Sequence, residues 1–552
     1  MNKGPMAHAA LHQLPIIRPI LLTAGSDHEM GQQYAIQLCE IFGGDALHDA
    51  VPARPTSRER RLLRSYKRAI RAVAPESLEW FKGVAAGSAS CGSRIMPQQI
   101  MASFCGVPET GRLSAPIPAG DYEGGEGCTG FAAWGTATRS GEAICAGSKD
   151  HQPRAEVSLL AFPRSHEGLP FFWNPSRILG GAALGGHPGM NSEGVAYVHH
   201  GATCWINCAR SVASDAGITM PIAVLHTLRT ARSAGEARDL QLSYDNPDGN
   251  AGGFWMDRSG GAWIIESRKN PVAVRGPGDC GERDFLYSTN NGLCREVTDC
   301  QQTQGKAAEY IPHGGWLADG ATISSVGRNL QLWRLLSTHH GKIDTELVKM
   351  MWRTPGAPLE HASLEEAEAC YEETRGSGWN DSLCNLYNAS VGVFELGKRR
   401  MHISWGCLSR NAHPFSPKRH YYVPGATRAW YELNLASDPE EVVVLARDRA
   451  QRDLYLAYRS LGSLPALQAQ SAGIPEVFDR AASSWHAGDV WLTRSSREQR
   501  NGRILVLSRA AREFTQSQAL ARSVRNLIHE PPSLLAHPAL RMHKEDSGQP
   551  GT

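Results

Sequence analysis

Three times along this 552-residue chain, an apolar run leads through a polar, glycine-containing turn into a second apolar run. Phe131-Ala132-Ala133-Trp134 passes through a turn at 136–141 into 142–148. Phe254-Trp255-Met256 passes through Asp257-Arg258-Ser259-Gly260-Gly261 into Trp263-Ile264-Ile265. The run 391–396 passes through Gly397-Lys398-Arg399-Arg400 into 401–405. Such runs around tight turns signal β-hairpins, and a hairpin commits its strands to antiparallel pairing. Helical periodicity fills the stretches between, notably 219–234 and 329–337. Antiparallel hairpins alternating with helices predict an α+β fold and not a doubly wound parallel sheet.

The flanks read differently. Residues 1–24 show no clear periodicity. A helix is expected over 27–42, with Met30, Tyr34, Ile36 and Leu38 at helical spacing. A basic helix follows over 58–71, whose charges fit a solvated face beside Leu62, Leu63, Tyr66 and Ile70. A third runs from Pro75 through Trp80 and Phe81 to Gly87. Residues 106–127 are rich in proline, glycine and acids, and end in Gly124-Gly125-Glu126-Gly127. That composition suits an exposed segment open to cleavage. Beyond 424 the chain looks mostly helical, with a helix start at Ser437-Asp438-Pro439-Glu440-Glu441. Residues 541–552 are expected to be a disordered tail. Three units result: 1–127, 128–424 and 425–552.

Composition narrows the function. The 57 Lys and Arg balance 55 Asp and Glu, a net charge of +2, so nucleic acid is not an expected partner. No apolar run approaches the roughly 18 residues of a membrane helix, and neither a span nor a signal peptide is expected. Thirteen cysteines in 552 residues are too sparse and too odd in number for a disulfide scaffold. Reduced thiols and a cytoplasmic location are the simplest expectation, leaving a cysteine free for chemistry.

Cys128 is the leading candidate. It follows the glycine-rich segment and opens a strand; a thiol there is either a nucleophile or a small buried hydrophobe. With the first turn centred near Thr138–Arg139, residues whose numbers sum to about 277 oppose each other. Cys128 then faces the neighbourhood of Lys149 and Asp150, and Asp150 puts a carboxylate beside the start of its strand. If the chain were cut between Gly127 and Cys128, the new α-amine would lie within reach of Asp150. An α-amine titrates at roughly 7.7–8.0 and a thiol at roughly 8.5. Such an amine could take the proton of its own thiol without a histidine, with Asp150 orienting it.

Gly127-Cys128-Thr129 resembles the cleavage site of the N-terminal-nucleophile (Ntn) hydrolases, in the branch of acyl-CoA:6-aminopenicillanic acid acyltransferase. Further stretches resemble that family in chain order: Gly25 to Gly31, Glu79 to Gly87, Gly189-Met190-Asn191-Ser192-Glu193-Gly194-Val195, 257–266 ending in Glu266, Ser288-Thr289-Asn290-Asn291, and Ser324-Ser325-Val326-Gly327-Arg328. The resemblance spans about 25–408. It implies a four-layer αββα sandwich of antiparallel sheets and self-cleavage before Cys128. Cys128 would be the nucleophile and Asp150 the partner of its amine. Asn290 would donate to the oxyanion, and Arg328 would hold the network together at the start of a helix. Taken alone, Asn290-Asn291-Gly292 is turn chemistry and Arg328 a surface residue. The implied substrate is a small acylated amide, or an acyl group moved to or from a coenzyme A thioester. No cofactor or metal is implied. The two chains of the precursor would stay associated, and a homodimer stays open.

The chain also departs from the pattern. The hydrolase branch carries an arginine three residues before the aspartate, where this chain has Gly147. The acyltransferase branch has Asn-Trp-Asp where Ser148-Lys149-Asp150 stands here. Lys149 alternates with Asp150 and is expected to point away from it. Cys204 and Cys208 follow His199-His200, but the spacing is not a standard zinc pattern. Two rival readings remain: a papain-like pair of Cys128 with His199 or His200, and a scaffold that binds a ligand without chemistry.

Overall fold

Ile20-Leu21-Leu22 is an apolar run without alternation, and it forms a strand, β1 (Ile20–Gly25), buried along the run. A strand covered on both faces has no period to betray it, which is why residues 20–24 show none in sequence. The computed structural model describes residues 17–52, 55–105, 127–150, 156–175, 178–179, 188–198, 217–245, 253–267, 272–302, 307–318, 321–352, 383, 388–405, 429–465 and 473–529.

Five helices follow β1: α1 (Asp27–Phe42), α2 (Gly44–Asp49), α3 (Ser57–Val73), α4 (Pro75–Ser90) and α5 (Pro97–Phe104). Ser26 and Glu29 form a capping box at the start of α1, and Thr56 and Glu59 do the same for α3. The first hairpin is β2 (Gly127–Ala133) and β3 (Ile144–Asp150). Short strands β4 (Ser158–Pro163), β5 (Phe171–Trp173), β6 (Gly189–Asn191) and β7 (Ala196–Val198) lead to α6 (Met220–Thr230) and α7 (Ala234–Ser243). The second hairpin is β8 (Gly253–Met256) and β9 (Ala262–Ser267), followed by β10 (Ala273–Arg275) and β11 (Phe285–Ser288). Then come α8 (Arg295–Gln302), β12 (Ala307–Ile311), β13 (Gly315–Ala318), α9 (Ala321–Thr338) and α10 (Thr345–Met351). The third hairpin is β14 (Asn388–Glu395) and β15 (Arg400–Trp405). Strand β16 (Tyr431–Asn434) precedes α11 (Pro439–Leu461), α12 (Ile474–Ser495) and α13 (Arg500–His529).

The strands form two main sheets. Sheet A runs β1-β4-β5-β6-β7-β8-β9-β10, and sheet B runs β11-β2-β3-β14-β15-β16; β12 and β13 pair separately. The pairing of β1 with β4 is parallel, and the other pairings in both sheets are antiparallel. The fold is α+β. Three apolar cores order the layers. One lies between α1, α3 to α7 and the outer face of sheet A, including Tyr34, Phe81, Phe104, Trp173 and Trp255. A second lies between the sheets, with Leu22, Leu160, Phe172, Phe254, Phe394 and Ile403. The third lies between sheet B and α9 and α10, with Phe131, Tyr287, Leu336 and Val393.

Two features of this architecture shape the site. Gly130, Gly147 and Gly392 form one row across β2, β3 and β14. A Cβ at Gly147 would lie 2.5 Å from Val198 Cγ1, and one at Gly130 2.7 Å from the same atom. The sheets therefore approach closely here, and the Gly147 position has no room for a side chain. The second feature is α13, which closes both sheets at one side. Leu22 N–H in the outer strand of sheet A donates to Ser508 Oγ at 3.0 Å, and Glu432 N–H in the outer strand of sheet B donates to Gln518 Oε1 at 3.0 Å. Strand edges left open invite pairing with other chains; here one helix occupies both. The region after 424 thus supplies a strand of sheet B and the cover of both edges.

Candidate functional site

The β2–β3 register sets the geometry. Cys128 opposes Lys149, and Gly127 opposes Asp150, so the paired numbers sum to 277. Alternation sorts the side chains by face. Phe131, Ala133, Ile144 and Ala146 belong to the helix-side core, whereas Ala132 and Cys145 belong to the core between the sheets. Cys128 lies in phase with Ala132, so its thiol faces the space between the sheets, and directly opposed residues share a face. Lys149 therefore stands on the Cys128 side. It does point away from Asp150, as alternation requires, but that places it with the nucleophile candidate.

Where β11 stops pairing with β2 at Ser288 and Gly130, side chains take over. Cys128 N–H donates to Asn290 Oδ1 at 3.0 Å. Arg328, from the third turn of α9, donates to the same Oδ1 at 2.7 Å, to the Cys128 carbonyl at 2.8 Å and to Thr129 Oγ1 at 2.6 Å. Arg328 is 2 % exposed and Asn290 8 %, so each of these bonds is shielded from water. Helix α9 begins at Ala321, so Arg328 lies inside the helix and not at its opening. On the helix-side face of β3, Asp150 Oδ1 accepts Asn388 Nδ2–H at 2.6 Å. The structure thus brings Cys128, Asp150, Asn290 and Arg328 together.

The Asn290 loop is held from below. Asn290 N–H donates to Ser325 Oγ at 2.8 Å, and Ser325 Oγ also bonds Asn291 Oδ1. Asn291 Nδ2–H donates to the Gly314 carbonyl at 2.7 Å. Glu266, at the end of the second hairpin, accepts the Leu293 and Cys294 N–H groups, each at 2.8 Å, and Arg275 Nε–H at 3.0 Å. Asn191 has a comparable structural task in sheet A: its carboxamide bonds the Leu228 and Ala231 carbonyls and the Val195 N–H.

Burial pushes the Cys128 thiol up to about 12, and the Asp150 charge adds to the shift. The Asp150 backbone N–H, which bonds the sulfur, and the charges of Arg328 and Lys149 oppose it. Burial thus favours the protonated thiol, and the nitrogen of the same residue is a backbone amide, not an amine.

Several residues emerge only from the structure. Alternation turns Thr129 away from the Cys128 thiol, but only the structure shows that Arg328 lies on that side. Asn388 could not be found in sequence, because the third hairpin reads there as starting at 391. Asp284 lies at the far end of β2, where its carboxylate accepts Thr136 N–H at 2.8 Å and its carbonyl accepts Trp134 N–H; it is not near Cys128. His199, His200, Cys204, Cys208 and Asp121 lie outside the described residues. Among the described residues no cluster of three His, Cys, Asp or Glu could hold a metal ion, and no helix is long and apolar enough to cross a membrane.

No family model matches the chain, and no curated protein matches it. Among solved structures, a mutant of the conjugated bile acid hydrolase from Clostridium perfringens aligns with 50% of this chain and 89% of its own, at 12% identity and a TM-score of 0.27. A likeness at that level carries no argument about this chain.

Proposed function

We propose that the chain is the precursor of a cysteine amidohydrolase or acyltransferase of the Ntn type, which cuts itself between Gly127 and Cys128. The observation that carries this reading is the anchoring of the Cys128 backbone: its nitrogen is bonded to Asn290 Oδ1, and its carbonyl to Arg328. Any buried backbone N–H and C=O must find a partner; here the partners are two side chains, Asn290 and Arg328, brought from beyond the strand, and Asn290 Oδ1 fixes the position of the α-nitrogen that would act as base.

Maturation follows in two steps. The Cys128 sulfur adds to the Gly127 carbonyl carbon; the C–N bond then breaks, leaving a thioester to Gly127 and a free amine on Cys128, with the thiol proton passing to nitrogen. Water then hydrolyses the thioester and releases residues 1–127 from 128–552. In the mature protein the amine takes the thiol proton and the sulfur attacks the acyl carbonyl of a substrate. The protonated amine next gives its proton to the leaving nitrogen, and the acyl-enzyme passes its acyl group to water or to another acceptor. Asn290 Nδ2–H would face the oxyanion while its Oδ1 keeps hold of the nitrogen. One such donor is worth about 10²–10³ in rate.

The substrate we infer is a linear amide of a small acylated molecule, with a coenzyme A thioester as the alternative acyl carrier. Intact mass of purified protein tests maturation: two chains are expected from the wild type and one from Cys128→Ala. A cut at the same bond in Cys128→Ala points to a contaminating protease, and an uncut wild type that binds ligand supports a scaffold without chemistry. Metabolite profiling with the mature protein should show consumption of a small amide; cutting of unfolded casein with no small amide consumed overturns the substrate class.

A further inference from the structure

Lys149 is fully buried, as is its ion-pair partner Glu156: Nζ lies 3.2 Å from Glu156 Oε1, with no side-chain exposure on either. Nζ–H also donates to the Pro175 carbonyl at 3.3 Å. Glu156 in turn pairs with Arg18, whose guanidinium lies 3.3 Å from the centre of the Trp405 ring. Glu156, Pro175 and Arg18 border strands of sheet A, and Lys149 belongs to sheet B. The pair therefore spans the space between the sheets, on the face that carries the Cys128 thiol.

Stability does not explain this arrangement. Moving two charges out of water costs several kcal/mol per ion, and apolar residues of similar volume often serve as well or better. Much of the space between the sheets shows that alternative in practice, packed with Leu, Phe and Met. The register adds a functional reason. Cys128 and Lys149 are directly opposed across the hairpin, whereas Asp150 leaves the sheet on the other side.

We propose that Lys149 is a positioning residue for the nucleophile: its ammonium, clamped by Glu156 and the Pro175 carbonyl, is the fixed positive charge on the thiol's side of the sheet and favours the Cys128 thiolate. This rests on the reading of Cys128 as nucleophile. The charges around the thiol are Asp150 and Lys149 from β3 and Arg328 from α9. Among the described residues, Glu156 and Arg18, from the ends of sheet A, stand next to Lys149. Of these, Arg328 is committed to the backbone of Cys128 and to Asn290, and Asp150 opposes ionisation. Lys149 is the cation whose position the cross-sheet clamp fixes. Clamping keeps the ammonium where it is when the thiol proton leaves, so no reorganisation is needed at that moment.

The test is alkylation of Cys128 by iodoacetamide, followed by peptide mass at pH 7, 8 and 9, in the purified full chain. Lys149→Met keeps length and bulk but removes the charge, and Lys149→Arg keeps the charge in a different shape. Loss of the charge should slow alkylation about tenfold at each pH, which corresponds to one unit in the thiol's titration; Lys149→Arg should stay within about threefold of wild type. A merely structural lysine predicts the reverse order. Should Lys149→Met not fold, Lys149→Met/Glu156→Gln removes one charge of each sign and keeps the net charge of the cluster, and the same tenfold loss is expected. Wild-type rates in either folded Met variant overturn the proposal. If the wild type is cut at Gly127 and only the Lys149 effect is missing, Lys149 alone fails. If the wild type is uncut and Cys128 resists alkylation, the nucleophile reading itself fails, and the role of Lys149 with it.

Discussion

Arg328 Nη1–H donates to the carbonyl oxygen of Cys128 at 2.8 Å, joining residues 200 positions apart in sequence. The same guanidinium serves Thr129 Oγ1 and Asn290 Oδ1. A planar fork of donors suits three acceptors held at fixed angles, and a lysine ammonium would not reproduce it. Arg328→Met would leave the Cys128 carbonyl and Thr129 Oγ1 without this donor, at about 1–3 kcal/mol each, while Asn290 Oδ1 keeps the Cys128 N–H. We expect a lower urea midpoint and a single uncut chain by intact mass. Arg328→Lys should fold better but still mature slowly. Normal maturation in Arg328→Met would show that the Cys128 backbone needs no anchor on that side.

Asp150 lies across from Gly127, next to the bond we propose is cut. Its carboxylate is already oriented by Asn388, so it can receive the new amine in a defined position. A charge-assisted bond of this kind contributes roughly 1.5–3 kcal/mol, or about 10–100-fold in rate at 1.4 kcal/mol per tenfold. Asp150→Asn should therefore fold nearly normally, mature slowly, and turn over about 10–100-fold more slowly. Turnover is to be measured on protein already cut, so that processing and catalysis are separated. Wild-type rates would move the search for the amine's partner away from β3.

Much of this site was legible because hairpins are local. The turn at 136–141 alone placed Lys149 and Asp150 opposite the Cys128 strand, and the observed register agrees. The helices over 27–42 and 58–71 were equally plain, since apolar residues recur at helical spacing in each. What the sequence hid is non-local. Nothing in it says that β3 pairs with β14, bringing Asn388 to Asp150 across 238 residues. Nor does it say which face of β2 meets the other sheet, and without that the side shared by Cys128 and Lys149 could not be assigned to the space between the sheets. Strand β1 escaped notice because burial on both faces erases the period-two signal.

The glycine row is a case of that hidden packing, and it makes a direct prediction. A Cβ at Gly130 would lie 2.7 Å from Val198 Cγ1, with the nearest backbone atom, the Ala146 carbonyl oxygen, 3.6 Å away. The obstacle is thus one side chain. Gly130→Ala should lower stability by about 1–3 kcal/mol, the usual cost of overpacking. Val198→Ala opens the space, so Gly130→Ala/Val198→Ala should be more stable than the two separate losses would sum to. Thermal melts of the four proteins measure the coupling. Simple additivity would mean that the sheets can shift apart at this row without cost.

Acid should loosen the side of the molecule that α13 closes. Burial alone would raise the Glu432 carboxyl, but Arg522, His402 and Arg449 outweigh it and hold it at about 2. An unfolded glutamate titrates near 4.3. The folded value is the lower one, so this stabilisation is complete above about pH 4.3 and is lost as pH falls from there towards 2. His402 adds to the trend at higher pH: burial lowers its folded value below 6.5, so folding weakens as pH drops through the ordinary imidazole range. Glu432→Gln should be less stable than wild type by about 2–3 kcal/mol at pH 7, since the Glu432 side chain is only 12 % exposed and little screened. Urea midpoints of the two proteins should converge between pH 4.3 and 2. A gap that stays constant from pH 7 to pH 2 would mean that Glu432 acts through shape and hydrogen bonding, not through its charge opposite Arg522.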